Sequence, residues 1–202
     1  ISFADESRQG ARTDHVCASY KDNYRRIDNC LGTEGLVMDI DNDHSENPEE
    51  WITSEKIASL FEDVDYALAT SRSHMISKDG KAARPKFHIY FPIEVCTDAK
   101  YYTDMKVAIQ KKFSFFDGNA LDAARFLFGA ESKEVVWHEG WLLISDLIEV
   151  EATNDEGATS GGPILEGSRN NMMSRFAGRV LKRYGVTEKA HDAFLQHGKK
   201  CY

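Results

Sequence analysis

"GLVMDIDNDHSENPEE", residues 35–50, opens as an apolar run and then places aspartates at 39, 41 and 43. A short apolar run bounded by turn-forming residues reads as a buried strand over 35–38, leading directly into the acids. Successive strand side chains point to opposite faces, so Asp39 and Asp41 project together from a rigid element. Two carboxylates that close repel, and a compensating cation is expected beside them. One stretch therefore predicts both a core strand and a charged site at its end.

Downstream, Ile57, Leu60, Phe61 and Val64 recur at i, i+3, i+4 and i+7 behind Ser54, which predicts a capped helix. Tyr66, Leu68 and Thr70 alternate as a strand, as do the residues from Arg84 to Phe91, with the polar residues 73–83 as a loop between them. A second helix is expected from about Asp98 to Lys112, a short one over 119–128, and a hairpin from 135–138 and 141–145 around Glu139-Gly140. Strands mixed with single helices point to an α+β fold rather than a doubly wound parallel sheet. Residues 151–163 are small, polar and Gly-rich and read as a linker. Beyond them Met172, Met173, Phe176, Val180, Leu181 and Tyr184 form a helical stripe with Gly185 as its stop, and Thr187 caps one more helix.

The 202 residues are 42% hydrophobic and 29% charged, enough apolar content to exclude disorder, and no apolar run approaches the roughly 20 residues of a membrane span. The start lacks both a Met and a signal-peptide pattern, as expected of a piece of a longer protein. Cys17, Cys30, Cys96 and Cys201 include no CxxC pair, so a reduced cytoplasmic setting, not a secreted one, is expected. His15, Cys17 and Cys30 have no standard ligand spacing and read as free thiols ahead of a metal set. The net charge of −8 speaks against a protein coated in nucleic acid, but eight Lys/Arg against Glu188 and Asp192 make residues 169–202 +6, leaving −14 elsewhere.

Two further clusters carry chemistry. On a strand Arg84, Lys86 and His88 would share the face opposite Phe87, Ile89 and Phe91, a cradle for polyphosphate. Asp122 and Arg125 lie three apart, on one side of a helical turn.

Taken in order, these pieces resemble the archaeo-eukaryotic primase superfamily, in particular the primase-polymerase domains of phages and plasmids. An apolar strand ending in Asp-x-Asp matches Asp39 and Asp41, a strand "KFH" supplies His88, and "LD" supplies Asp122. "ATSRSH", "DAARFLFG" and the basic "EGSRNNMMSRFAGRVLKRYG" also resemble that branch. The family's small hydroxyl residue two before the histidine is Lys86 here, and its zinc-binding insertion has no counterpart, so no zinc is expected.

The resemblance implies a mixed or antiparallel, RRM-like sheet with flanking helices as a catalytic domain over 1–150, a linker over 151–166 and a basic helical module over 167–202. It implies a DNA-directed primase-polymerase joining ribo- or deoxyribonucleoside triphosphates on a single-stranded DNA template. Asp39, Asp41 and Asp122 would hold two Mg²⁺ or Mn²⁺ ions, with His88 the fourth catalytic residue. His88, Lys86 and Arg84 would neutralise nucleotide phosphates, with Ser71, Arg72 and Arg125 as helpers, and Arg169, Arg175, Arg179, Lys182 and Arg183 would contact template. A helicase domain in the parent protein is a further implied partner. Two rivals stand beside this reading: a non-catalytic nucleic-acid-binding module, and a Ca²⁺ loop from Asp39 to Glu50, in which His44 occupies the position that needs Gly. Asp43 is expected to be a loop residue outside the metal's first shell.

Overall fold

The computed structural model describes residues 2–78, 80–119, 121–130, 134–140, 142–148, 176–178, 180–181 and 184–201. A helix the sequence reading did not assign comes first: α1 (Phe3–Arg12), started by the Ser2 hydroxyl accepting the Asp5 N–H. Two short strands, β1 (His15–Val16) and β2 (Ser19–Tyr20), follow. The apolar run then lies within β3 (Cys30–Ile40), where every side chain from Leu36 to Ile40 is buried. An unbroken buried run of that kind marks a strand covered on both faces.

The chain continues through α2 (Ser54–Leu60), β4 (Tyr66–Thr70), β5 (Phe87–Cys96), α3 (Ala99–Lys112), β6 (Phe126–Leu127) and β7 (Val135–His138). Five strands form one sheet in the order β2-β3-β5-β4-β7, every neighbouring pair antiparallel, while β1 and β6 pair separately. Because β3 and β4 both run antiparallel to β5, they are parallel to each other with β5 inserted between them, a split β-α-β crossed by α2. The fold of this unit is α+β with antiparallel sheets.

The two faces of the sheet are covered differently. Val37, Ala67, Ala69 and Tyr90 pack with Ala11 of α1 and Leu127 of β6. Opposite them, Phe61 at the end of α2 meets Tyr66, Phe91, Phe113 and Phe116 edge-on or stacked, with ring centroids 5.0–6.3 Å apart. Such pairs add about 0.5–1.5 kcal/mol each beyond burial of their area.

Several boundaries differ from expectation. Thr53, not Ser54, caps α2, and the helix stops at Leu60, which leaves that residue exposed. The described residues of 119–128 hold a turn and β6 rather than a helix, because the Asp122 carboxylate accepts the Ala124 N–H two residues on and diverts the chain. The expected hairpin is also absent among the described residues: β7 pairs with β4, and Leu142 bridges Val64 in parallel. Gly140 explains this, since a Cβ there would collide with the Asp63 backbone, and its N–H reaches the Asp65 carboxylate at 2.8 Å.

The chain divides into two compact units, 1–144 and 145–202. In the second, Gly185 takes φ of +65° with its N–H on the Leu181 carbonyl, and the Thr187 hydroxyl accepts the Ala190 N–H at the start of α4 (Glu188–Cys201). Both signals are where the sequence has them. The linker over 151–166 and the template residues Arg169, Arg175, Arg179, Lys182 and Arg183 lie outside the described residues. No described helix is long and apolar enough to cross a membrane.

Candidate active site

The last residues of β3 lie beside the first of β5: Asp39 is in register with His88, and His88 with Ala69 of β4. Residues in register point to the same face. His88 Nε2 accordingly stands 3.6 Å from Asp39 Oδ1. Arg125, just before β6, brings a guanidinium nitrogen to 2.6 Å from Asp39 Oδ2. Asp39 is 6% exposed, and burial pushes its carboxyl above the usual range, against the pull of Arg125 and Lys106. Asp39 Oδ1 and Arg125 Nε are both buried, and neither makes a hydrogen bond among the described residues.

Asp41 sits one residue past the strand, where Lys86 Nζ meets it at 3.2 Å. Asn42 then turns the chain outward with φ of +53°, a conformation asparagine tolerates. Its buried amide donates to the carbonyls of Ile52 and Pro85 and accepts the Ile52 N–H, pinning the loop. Asp43 has more company than the sequence suggested: Lys81 at 3.2 Å, Arg84 at 3.4 Å and Lys86 at 3.7 Å. Burial pushes its carboxyl up, but the Lys81 hydrogen bond and the charges of Lys86, Lys81 and Arg84 together outweigh it and hold the carboxyl below the usual range.

Arg84 departs most from expectation. It does not alternate with Lys86 and His88 on a strand, because β5 begins only at Phe87; Pro85 has no N–H to give a ladder. Its guanidinium is 1% exposed and donates to the Asn42 carbonyl at 2.9 Å and to Glu46 at 2.8 Å, beside the Trp51 ring. Arg84 thus clamps loop 42–46.

A cleft of about 370 Å³ gathers most of the expected residues: Asp39, Asp41, Ser71, Arg72, Lys86, His88 and Arg125, together with Asp43 and Arg84. Asp122 is not on its lining. Six cations, Arg72, Lys78, Lys81, Arg84, Lys86 and Arg125, face three acids there, a local surplus of positive charge in an acidic chain. Lys78, Lys81, Asn42 and Lys106 were not foreseen. Lys106 is fully buried on α3, and burial lowers its ammonium to about 8 while Asp39, Cys17 and Asp122 oppose the shift. Its signal was present: Tyr102, Met105, Lys106 and Ile109 form a buried helical stripe, with a lysine on it.

Among the described residues no group of three or more His, Cys, Asp or Glu comes together to hold a metal ion. The three-carboxylate set is therefore not assembled. Asp39 and Asp41 do fit one hard divalent ion, since Asp39 Oδ1 is a buried acceptor without a donor, and Mg²⁺ is commonly held by one or two carboxylates plus substrate phosphates. The Ca²⁺ loop does not fit, because Asp39 lies inside a paired strand and Glu50 in a separate 3₁₀ turn. Nor do His15, Cys17 and Cys30 converge: the His15 ring is engaged by the Thr13 carbonyl and Tyr90 hydroxyl.

No family model matches the chain, and no curated protein matches it in sequence. Among solved structures it is similar to the AEP domain of the primase-polymerase of cyanophage S-2L, at 12% identity and a TM-score of 0.42, over 69% of this chain and 71% of that one.

Proposed function

We propose that the chain is a nucleotidyltransferase of primase-polymerase type, joining nucleotides on a single-stranded DNA template with release of pyrophosphate. The observation that carries this reading is the meeting, in one cleft, of a buried carboxylate oxygen without a donor, Asp39 Oδ1, and a buried guanidinium N–H without an acceptor, Arg125 Nε. One acceptor and one donor left unfilled side by side suit a metal-bound polyphosphate, because buried polar atoms are costly unless partnered.

Lys86 would exchange Asp41 for a phosphate oxygen, and Arg125 would hold Asp39 in orientation while its Nε donates to the same substrate. His88, fixed in the β3–β5 register, would donate Nε2–H to a phosphate and so neutralise developing charge. Asp39 and Asp41 would hold Mg²⁺ or Mn²⁺, which supplies Lewis-acid activation of the attacking 3′-hydroxyl and screening of the triphosphate. Arg84 would act at one remove, by fixing the loop that carries Asp41 and Asp43. The basic residues of 169–183 would serve the template.

The test is incorporation of labelled nucleotide on a single-stranded template with Mg²⁺ or Mn²⁺, beside an Asp39→Ala/Asp41→Ala variant. Metal-dependent product that disappears in the variant is expected. No product from the parent chain, or equal product from both, overturns the reading. A second reading, binding without chemistry, is favoured by the absence of Asp122 from the cleft lining; it predicts strand binding with no product.

A further inference from the structure

One wall of the cleft is built from a pattern that the chemistry above does not use. Phe126 and Phe128 are two residues apart along β6 and its continuation, with ring centroids 5.1 Å apart and planes at 81°. Each ring carries a guanidinium from another segment: Arg25 over Phe126 at 5.2 Å, and Arg72 over Phe128 at 4.9 Å. The result is a row of cation, ring, ring, cation. Phe128 is 54% exposed on the cleft even with Arg72 against it.

The row is held from behind. Arg72 donates twice to the Gly129 carbonyl, at 3.1 and 3.3 Å, and Arg25 donates to the Ala124 carbonyl at 2.8 Å, so both planes are fixed by main-chain acceptors. Gly129 is pinned in turn: its N–H meets the Asp14 carboxylate at 2.9 Å, and a Cβ there would collide with the Thr13 backbone. An exposed ring beside a half-buried one, flanked by fixed guanidiniums, suits flat aromatic groups joined by anions.

We propose that the Phe126–Phe128 row is a stacking platform for successive bases of a single-stranded nucleic acid, whose backbone phosphates are met by Lys78 and Lys81 of the same cleft. The proposal rests on the nucleotidyltransferase reading and deepens it by naming where the strand lies. The charge surplus of the lining complements a polyanion. A strand, rather than a single nucleotide, is the occupant because the row runs past the cleft to Arg25, which is not part of its lining, and so offers more than one base a place.

The test is fluorescence anisotropy on the full chain with labelled oligothymidylate, without nucleotide or divalent ion. Phe128→Ala is expected to weaken binding about five- to a hundredfold, the usual worth of one stacked base. The slope of affinity against salt should stay unchanged, since no phosphate contact is removed. Phe128→Trp should restore binding, and an abasic strand of equal length should not distinguish parent from Phe128→Ala. Oligothymidylate bound equally by parent and Phe128→Ala overturns the proposal. So does an equal loss on the abasic strand, or a loss confined to ATP binding. The two readings fail separately: stacking without incorporation sinks only the enzyme, and incorporation with unaltered Phe128→Ala binding sinks only the platform.

Discussion

Arg84 gives the sharpest test of the site's construction, because sequence and structure assign it different work. As a phosphate ligand its loss would raise the KM for nucleotide and leave the fold intact. As a loop clamp its loss would act on stability first. Its partners differ greatly in burial: Glu46 is 70% and Asp43 45% exposed at the side chain, and exposed ion pairs contribute about 0–1 kcal/mol. The Asn42 carbonyl belongs to a residue 1% exposed, and a buried acceptor left without its donor costs roughly 1–3 kcal/mol. Removing the side chain also empties volume against Trp51, and large-to-small changes at buried sites typically cost about 2–5 kcal/mol. Arg84→Ala is therefore expected to lose about 3–5 kcal/mol in urea denaturation, the range for breaking a buried charged contact. For a chain of this size that lowers Tm on the order of 6–20 °C. Arg84→Lys keeps the charge without the planar fork and should recover only part of the loss. A change below about 1 kcal/mol in either variant, together with a raised nucleotide KM, would refute the clamp.

Three further outcomes are expected. Gly129→Ala should destabilise by roughly 1–3 kcal/mol in urea melts, because its Cβ meets the Thr13 backbone, which cannot swing aside. Asp39→Asn should abolish incorporation yet leave the fold at least as stable at pH 7. With the folded carboxyl raised, the unfolded state ionises first, so the acid's contribution is intact below its ordinary range and is lost as pH rises through the raised value. Calorimetric melts of parent and variant from pH 4 to 7 should show the variant gaining. Lys106 titrates at about 8 folded against 10.5 unfolded, so its contribution is present above 10.5 and lost as pH falls through 8; by difference from Lys106→Met, roughly 3 kcal/mol should appear between pH 8 and 10.5.

What could be read from residues alone was whatever depends on period. The strand over 35–38, the pairing of Asp39 and Asp41 at its end, a helix from about Asp98 to Lys112, and the Gly185 stop all follow from local spacing and capping chemistry. What failed depended on a distant partner. Residues 119–128 are good helix formers, yet a strand at β6 pays once β1 is there to pair with it and Asp14 and Arg72 hold Gly129. Leu142 could not be assigned to Val64, 78 residues away, by any periodicity. The site divides in the same way: His88 was legible because it lies in a strand, whereas the role of Arg84 was hidden by Pro85 and by the Asn42 turn.

The arrangement of charge has a consequence for how such a cleft would work. Each acid is already matched: Asp39 with Arg125, Asp41 with Lys86, Asp43 with Lys81. A bare nucleotide would have to take Lys86 from Asp41 and leave that carboxylate uncompensated beside the buried Asp39. A bare divalent ion would do the reverse to Lys86. An ion and a polyphosphate arriving together replace both halves of that pair, so no charge is left exposed to a low-dielectric wall. Under the proposed function, nucleotide and metal should therefore each tighten the other's binding by the same factor, as linkage requires. The internal ion pairs would then be the means by which the cleft discriminates against either ligand alone.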